Sequence, residues 1–555
     1  MKPEIHWRLA ALLLVWSLLA ACSGGDDLDI GAVTTPSVPV GGASGTELAE
    51  LQVLHWGNSA EPQSLDPHRG EGVPGSNIQR DLFEGLINEA ADGEIVPGAA
   101  EAWAISADGK TYTFTLRRAS RWSNGEPVVA DDFVYGLRRS LDPATLSRYT
   151  FILNPILHAR EIAAGQRPVT DLGVRALDQY TLEIQLENPT PYFLGLLTHS
   201  ASYPVHRASI EAHGDQHTRP GNLVSNGAYQ LDDWVVQSHV KLVRNRYYWD
   251  NGATVIDEVW YHGTEDKSAE LRRYRANELD ISSNSLAKRQ LPWIRENLGD
   301  ELVIAPYLGS YYYGFNVTRP PFKDNPALRR ALALAINRDI ITGQVTGAGE
   351  IPSFGWVPPV SGYVGQQMPE AAWTQAEREE EARRLYALAG YSAENPLVTE
   401  IMYNTEEDHK RVALAISAMW KLVLGVEVSS LNQEWKVFMD TRNQKIDTQV
   451  YRAGWIGDYN DAFTFAELFQ SGGGLNNTGY ESDEYDRLLI LASTEADFEQ
   501  RAAYLQQAEA VLLADLPILP IYFYVSSRLI KPWVGGFKPN IMAHHRSKDY
   551  FILQH

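Results

Sequence analysis

The sequence predicts a mixed α/β protein built from more than one sheet and more than one lobe. Three observations carry this. The chain has 555 residues, well beyond the roughly 250–300 at which a single hydrophobic core stops growing. Short stretches alternate apolar and polar residues with period two, as in Tyr112–Arg117 (YTFTLR) and Thr181–Leu186 (TLEIQL), the pattern of a half-buried strand. Amphipathic runs with helix start and stop signals are interspersed with them from end to end.

In chain order, residues 1–22 read as an export signal. Lys2 and Arg8 precede the apolar run LAALLLVWSLLAA, which is too short to span a bilayer comfortably. The run ends in LAAC, Leu19 to Cys22, which resembles the bacterial lipobox, a signal whose cysteine is lipidated. Residues 23–50 are rich in Gly, Ser, Thr and Pro without apolar period, as expected of a flexible tether. Folding is expected to begin near Leu51. Three helices are well signalled. Residues 324–343 open on Asp324 and Asn325 with Pro326 in the first turn, and close at Gly343. Residues 377–390 carry acids early and end at Gly390. Residues 498–517 are amphipathic and stop before Pro517.

Composition narrows the function. Lys and Arg number 48 against 70 Asp and Glu, a net charge of −22, which argues against a nucleic-acid partner. Cys22 is the one cysteine, so an intramolecular disulfide cannot form. The 27 Tyr and 15 Trp supply the flat, rigid surfaces that binding clefts use, although most must belong to the core. No G-x-S-x-G, H-E-x-x-H or Walker motif occurs. Ser285-x-x-Lys288 matches a penicillin-binding signature, but no K-T-G follows. His213 and His217 have metal-ligand spacing, yet Gly214 between them and Pro220 after them weaken a helix. DYNDAF lacks the acidic fifth position of a calcium loop. SGGGLNN, Ser471 to Asn477, has no lysine or helix signal behind it and reads as a plain loop. The chain is therefore expected not to be an enzyme and to need neither cofactor nor metal.

One constellation stands out. RAGWIGDYN places Arg452 and Asp458 six residues apart, with Gly454, Trp455 and Gly457 between them. Such a backbone can approach a ligand closely, with a fixed charge at each end. Upstream, YNTEEDHKRVALAISAMWKLVLG reads as a helix capped by Thr405, with His409 in its first turn, where free N–H groups and the helix dipole favour an anion. NQEWKVFMDTR adds Trp435 and Arg442. Taken singly, each charge is an ordinary surface group. Together, His409, Arg442 and Arg452 as cations or donors and Asp458 as an isolated anion suit a zwitterion such as a free amino acid or short peptide. Several cations would serve ligands of different lengths, at ~3.3 Å per extended residue.

These segments resemble the oligopeptide-binding proteins of bacterial ABC importers, the large peptide/nickel class of solute-binding proteins. The resemblance runs through PQSLDPH (Pro62–His68), EGVPGSNIQRDLFEGL (Glu71–Leu86), TDLGVRALD (Thr170–Asp178), NGAYQLDDWVV (Asn226–Val236), NQEWKVFMDTR (Asn432–Arg442), RAGWIGDYN and YFYVSSRLIKPWVGG (Tyr522–Gly536). It implies a two-lobed periplasmic-binding-protein fold with an extra inserted domain. Lobe I would comprise 51–83, 208–308 and 526–555, the inserted domain 84–207, and lobe III 309–525. The family's amine-binding aspartate falls on Asp458, and its carboxylate-binding cations on His409, Arg442 and Arg452. The cleft would be lined by Tyr149, Tyr312, Trp435, Gly454 and Trp455, with Glu71 and Val73 on a loop that touches the peptide from another lobe. Two departures stand out. Some relatives join by a disulfide the positions occupied here by Gly309 and Ile456, and carry an acid at Gly314. The implied protein is a periplasmic monomer, lipid-anchored at Cys22, that passes peptides to an ABC permease and its ATPase. Receptors of the same fold for murein peptide, haem or signal peptides would look alike in their backbone-binding residues. An extracytoplasmic hydrolase is the rival of a different class.

Overall fold

Three sheets organise the chain in the computed structural model, which describes residues 47–70, 72–360, 362–473 and 475–555, with 435 and 436 as backbone only. The expected export signal, Cys22, all but the last residues of the expected tether, Glu71 and the Trp435 side chain lie outside these described parts. The chain is held earlier than Leu51: Leu48 bridges Leu553, and Ala49 N–H donates to Ile552 O.

The first sheet has the order Val53–Gly57, Glu258–His262, His239–Arg244, Tyr229–Val235, parallel in its first pair and antiparallel thereafter. Alternation turns Leu54, Trp56, Leu242, Val259 and Tyr261 into a core that also takes Leu82, Ile530 and Ile552. Chain start, middle and end thus share one apolar face. The second sheet is antiparallel, with the order Ala100–Ile105, Thr111–Leu116, Thr181–Gln185, Val174–Asp178. The two segments of strongest alternation are direct neighbours in it, with Thr111 opposite Gln185. The helix Ala130–Leu141 buries Phe133, Leu137 and Leu141 in the same core.

The third sheet has six strands in the order Ile351–Pro352, Ile518–Leu529, Leu302–Phe315, Val450–Ile456, Val398–Asn404, Glu427–Gln433. Its longest members, Leu302–Phe315 and Ile518–Leu529, run antiparallel from a small core around Tyr274 and Leu286 into the large third core. Their register breaks between Pro306 and Ser310. Helix Phe498–Asp515 ends before Pro517 as its sequence predicts. Helix Gln375–Leu388 is capped by Thr374 with Glu377 in a capping box. The helix expected over 324–343 is instead two pieces, Pro326–Leu334 and Arg338–Ile340, the second passing into a wider turn that closes at Gly347. The break has a cause in Asn337, whose side chain accepts from Ile340 N–H, and in buried Arg338, which donates to Ala333 O, Ile336 O, Ser353 O and Pro520 O. Among the described residues, no helix is long and apolar enough to cross a membrane.

Candidate ligand-binding site

The strand Val450–Ile456 lies against Leu302–Phe315, with Arg452 opposite Tyr313, Gly454 opposite Tyr311 and Trp455 opposite Ser310. Gly454 must be glycine for a local reason. A Cβ there would stand 2.5 Å from the Tyr524 hydroxyl oxygen. The chain then turns at Gly457, where a Cβ would lie 2.6 Å from Leu308 Cδ2. Thr464 Oγ1 holds this turn by accepting from Trp455 Nε1 (3.3 Å) and from Asp458 N–H (3.4 Å). Farther along, Asp461 accepts from Phe463 N–H and pairs bidentately with Arg501.

Asp458 is thereby fixed by its backbone, while its carboxylate is not spoken for. Oδ2 is buried and has no hydrogen-bond partner among the described residues. Burial alone pushes the carboxyl up to about 7. It faces a cavity of about 490 Å³, within the ordinary size of a small-ligand site. The same cavity is lined by Val73, Tyr149 and Tyr312, and by Arg442, Gly454 and Trp455. Elements packed on all three sheets contribute, so residues some 385 positions apart (Val73 and Asp458) meet at one space. Arg442 comes from the helix Trp435–Gln444; its Nε has no partner among the described residues, and its guanidinium lies 5.7 Å from the Phe438 ring. The site thus presents an unneutralised acid and an arginine to one shared cavity.

Two of the expected carboxylate seats do not line this cavity. Arg452 donates to the Tyr524 hydroxyl (2.9 Å) and to Asn404 Oδ1 (3.4 Å), and stacks 4.8 Å above the Tyr311 ring. His409 has Nδ1 3.3 Å from the Tyr311 hydroxyl and 3.3 Å from Glu406 Oε2. Of the two roles expected for His409, cation or donor, the neutral donor is the one its surroundings favour: burial first, then the nearby charges of Arg452 and Lys288, push its imidazole down to about 2. Its cap is corrected. Glu406, not Thr405, accepts from His409 N–H, and the helix is Glu407–Leu424. Thr405 Oγ1 is engaged instead with Asn432 Oδ1 and Gln433 O of the neighbouring strand.

Both family departures have plain geometry. Gly309 and Ile456 are cross-strand partners, and a Cβ at 309 would meet Ile456 Cδ1 at 2.4 Å, so the isoleucine occupies the space between them. At Gly314, the Tyr451 ring crosses where a side chain would start. Sequence reasoning missed Arg80 and His199, which also line the cavity. A signal for Arg80 was present: Val73, Ser76, Asn77 and Arg80 follow the i, i+3, i+4, i+7 pattern of one helix face. Of the two histidines with metal spacing, His217 is taken up elsewhere, with Nδ1 on Gly214 O and Nε2 3.6 Å from Asp66. Lys288 pairs with Glu350 and Asp408. The grouping of ligand atoms compatible with an ion among the described residues is His158, Glu161 and Glu187, away from the cavity.

Known proteins resemble this chain over most of its length. Residues 94–477 match the family model described as bacterial extracellular solute-binding proteins, family 5 Middle. The chain is 43% identical over 516 residues to the periplasmic oligopeptide-binding protein OppA of Escherichia coli K12, covering 92% of this chain and 94% of that protein. It is 40% identical over 518 residues to the periplasmic murein peptide-binding protein MppA of the same organism, covering 92% and 95%. Among solved structures, Haemophilus influenzae OppA in complex with RPPGFSPFR superposes with a TM-score of 0.80 at 38% identity, over 91% of this chain and 100% of that chain. The mixed α/β, two-lobed architecture that the resemblance implied is the one these relatives share.

Proposed function

The chain belongs to the bacterial extracellular solute-binding proteins, family 5, and on that premise we propose that it captures short peptides, roughly di- to pentapeptides at ~3.3 Å per residue, and delivers them to an ABC import permease with its ATPase. The family is one of binding proteins rather than enzymes, and the reading assigns this chain no catalytic step. The observation that carries it is the buried, unpartnered Oδ2 of Asp458 facing the cavity that Arg442 also lines. A peptide ammonium supplies the cation that the protein withholds, and the peptide carboxylate meets Arg442. Peptide backbone would pair with strand edges, a mode indifferent to side chains.

Arg452 and neutral His409 serve as deeper seats, reached when Tyr524 gives way. Lobes I and III close about the paired strands Leu302–Phe315 and Ile518–Leu529; their register break between Pro306 and Ser310 supports a hinge there. The protein acts as a monomer in the periplasm, as its relatives are periplasmic, and is tethered through a lipid on Cys22. Absence of fatty-acid label on the wild-type chain would remove the anchor from this account.

The test of the peptide reading is calorimetric. Asp458→Asn should cost ~2–5 kcal/mol in binding a free-amine tripeptide, because it removes the partner of a buried charge, and should leave the N-acetylated form unaffected. Equal binding of both forms by the wild type would show that Asp458 is not the amine seat.

A further inference from the structure

The charges around the cavity exceed what a simple zwitterionic peptide can match. Its lining holds one acid among the described residues, Asp458, and three arginines, Arg80, Arg148 and Arg442. A peptide ammonium answers Asp458, and its C-terminal carboxylate answers one arginine. Arg148 has interactions within the protein. Arg80 is different. It sits at the eighth position of the helix Val73–Leu82, and its guanidinium makes no hydrogen bond or ion pair to any described residue. The carboxylate whose charge acts on it, Glu89, makes its own short contact to His544 Nδ1 at 2.7 Å. Arg546 adds a second positive charge nearby, and burial works against the Arg80 cation. An arginine so placed feels the field of Glu89 but has no anion in hydrogen-bonding contact.

Beside it is a neutral donor. His199 Nδ1 accepts from Ala201 N–H at 3.1 Å, which leaves Nε2 as the protonated nitrogen. The ring lines the same cavity, packs 4.7 Å from Tyr149, and lies close enough to Arg80 for that charge, after burial, to keep it neutral. A guanidinium and an imidazole N–H on one wall form a donor set for a carboxylate. Neither offers anything to an amide NH₂ or an ammonium.

We propose that the cavity selects peptides carrying a carboxylate beyond the C-terminal one, seated on Arg80 and His199. This deepens the peptide reading and rests on it. The ligand class is acidic peptides, in which the extra carboxylate is a Glu or Asp side chain. Such a group is charge-matched, whereas the amide isostere leaves Arg80 desolvated without an anion when the lobes close.

The experiment compares Glu-Ala-Ala, Ala-Glu-Ala and Ala-Ala-Glu with their Gln counterparts by calorimetry on the full-length protein freed of co-purified ligand. At one position or more, Glu should bind on the order of tenfold tighter than Gln. Arg80→Gln should abolish that ratio, whatever its effect on the Gln peptides, and Arg80→Lys should retain part of it. A merely structural role for Arg80 would lower all affinities and leave the ratio intact. Should Arg80→Gln fail to fold, the wild-type ratio and its reduction in His199→Asn decide. Glu and Gln peptides binding within about twofold of each other at every position overturn the proposal and leave peptide binding standing. No binding of any peptide overturns both.

Discussion

Two aspartates in this protein, Asp66 and Asp458, each have a buried carboxylate oxygen and yet behave in opposite ways. Asp66, 2% exposed, takes Arg139 Nη2 at 2.6 Å and Nη1 at 3.0 Å, with His68 N–H as a further donor at 3.0 Å. Burial opposes its charge, but the hydrogen bond and field of Arg139 outweigh that and hold the carboxyl down at about 2. Asp458 meets the same opposition with no compensating cation, and burial pushes it up to about 7. Asp66 is matched within the chain because it ties Arg139, on the helix of the second sheet's core, to the loop before Val73. Asp458 is left unmatched beside a cavity. Burial alone therefore does not set Asp458 apart; a buried carboxylate oxygen without a partner, beside a cavity, is the ground on which it is proposed as the amine seat.

The comparison is broken most severely at Arg139. Arg139→Ala leaves Asp66 buried without its arginine, and should cost ~3–5 kcal/mol of stability in urea unfolding. Asp458→Asn should cost none, since it removes an uncompensated charge. Equal losses would mean that the two carboxylates are alike after all. The next effect is on binding. Between pH 5 and 7 a peptide amine is an ammonium, while free Asp458 sheds its proton only near pH 7. Affinity for free-amine peptides should rise by up to about tenfold per pH unit toward 7, then level, and fall as the amine deprotonates near ~8. N-acetylated peptides and Asp458→Asn should show no such rise.

Stability should follow pH with opposite signs at the two sites. The folded-state value of Asp66 lies below its ordinary 3.8, so its contribution is complete above about pH 4 and is lost as pH falls through 2. The loss is about 2 kcal/mol by linkage. Asp458 is raised, so its contribution is complete below about pH 4 and is lost as pH rises through 7. Asp458→Asn should flatten the neutral limb of the stability profile and leave the acid limb, which Arg139→Ala should remove.

Much of this was legible in the residues themselves. Asp458 and Gly454 stood out because a charge framed by glycines and tryptophan suits no solvated face, and helix Phe498–Asp515 was bounded by its own pattern. What was not legible depends on distant partners. The neutrality of His409 comes from burial together with Arg452 and Lys288, which are far away in sequence. Arg452 is drawn aside by Tyr524, from a strand 72 residues later. Thr405 loses its cap role because a parallel strand delivers Asn432 and Gln433 to its hydroxyl. Asn337 splits a helix that composition favours, since Arg338 finds carbonyls on three separate segments. Local pattern fixes elements; which charges are spent within the protein is settled by packing.

The smallest effect concerns how each aspartate is aimed. In both, the backbone N–H is held by a hydroxyl: Asp66 N–H by Ser64 Oγ at 3.1 Å, and Asp458 N–H by Thr464 Oγ1 at 3.4 Å. Asp66 has a bidentate arginine to fix its carboxylate as well, so the hydroxyl is redundant for orientation. Asp458 has no such partner, and Thr464, fully buried, also accepts from Trp455 Nε1. Thr464→Val keeps the volume, removes the acceptor, and should cost ~0.5–1.5 kcal/mol of stability. It should also weaken peptide binding several-fold, well short of Asp458→Asn, because the carboxylate and the Trp455 wall lose their common anchor. Ser64→Ala should leave peptide affinity unchanged. Equal affinity losses in the two variants would show that the Thr464 bond does not aim Asp458, and that the turn at Gly457 and the Asp461–Arg501 pair suffice to hold it.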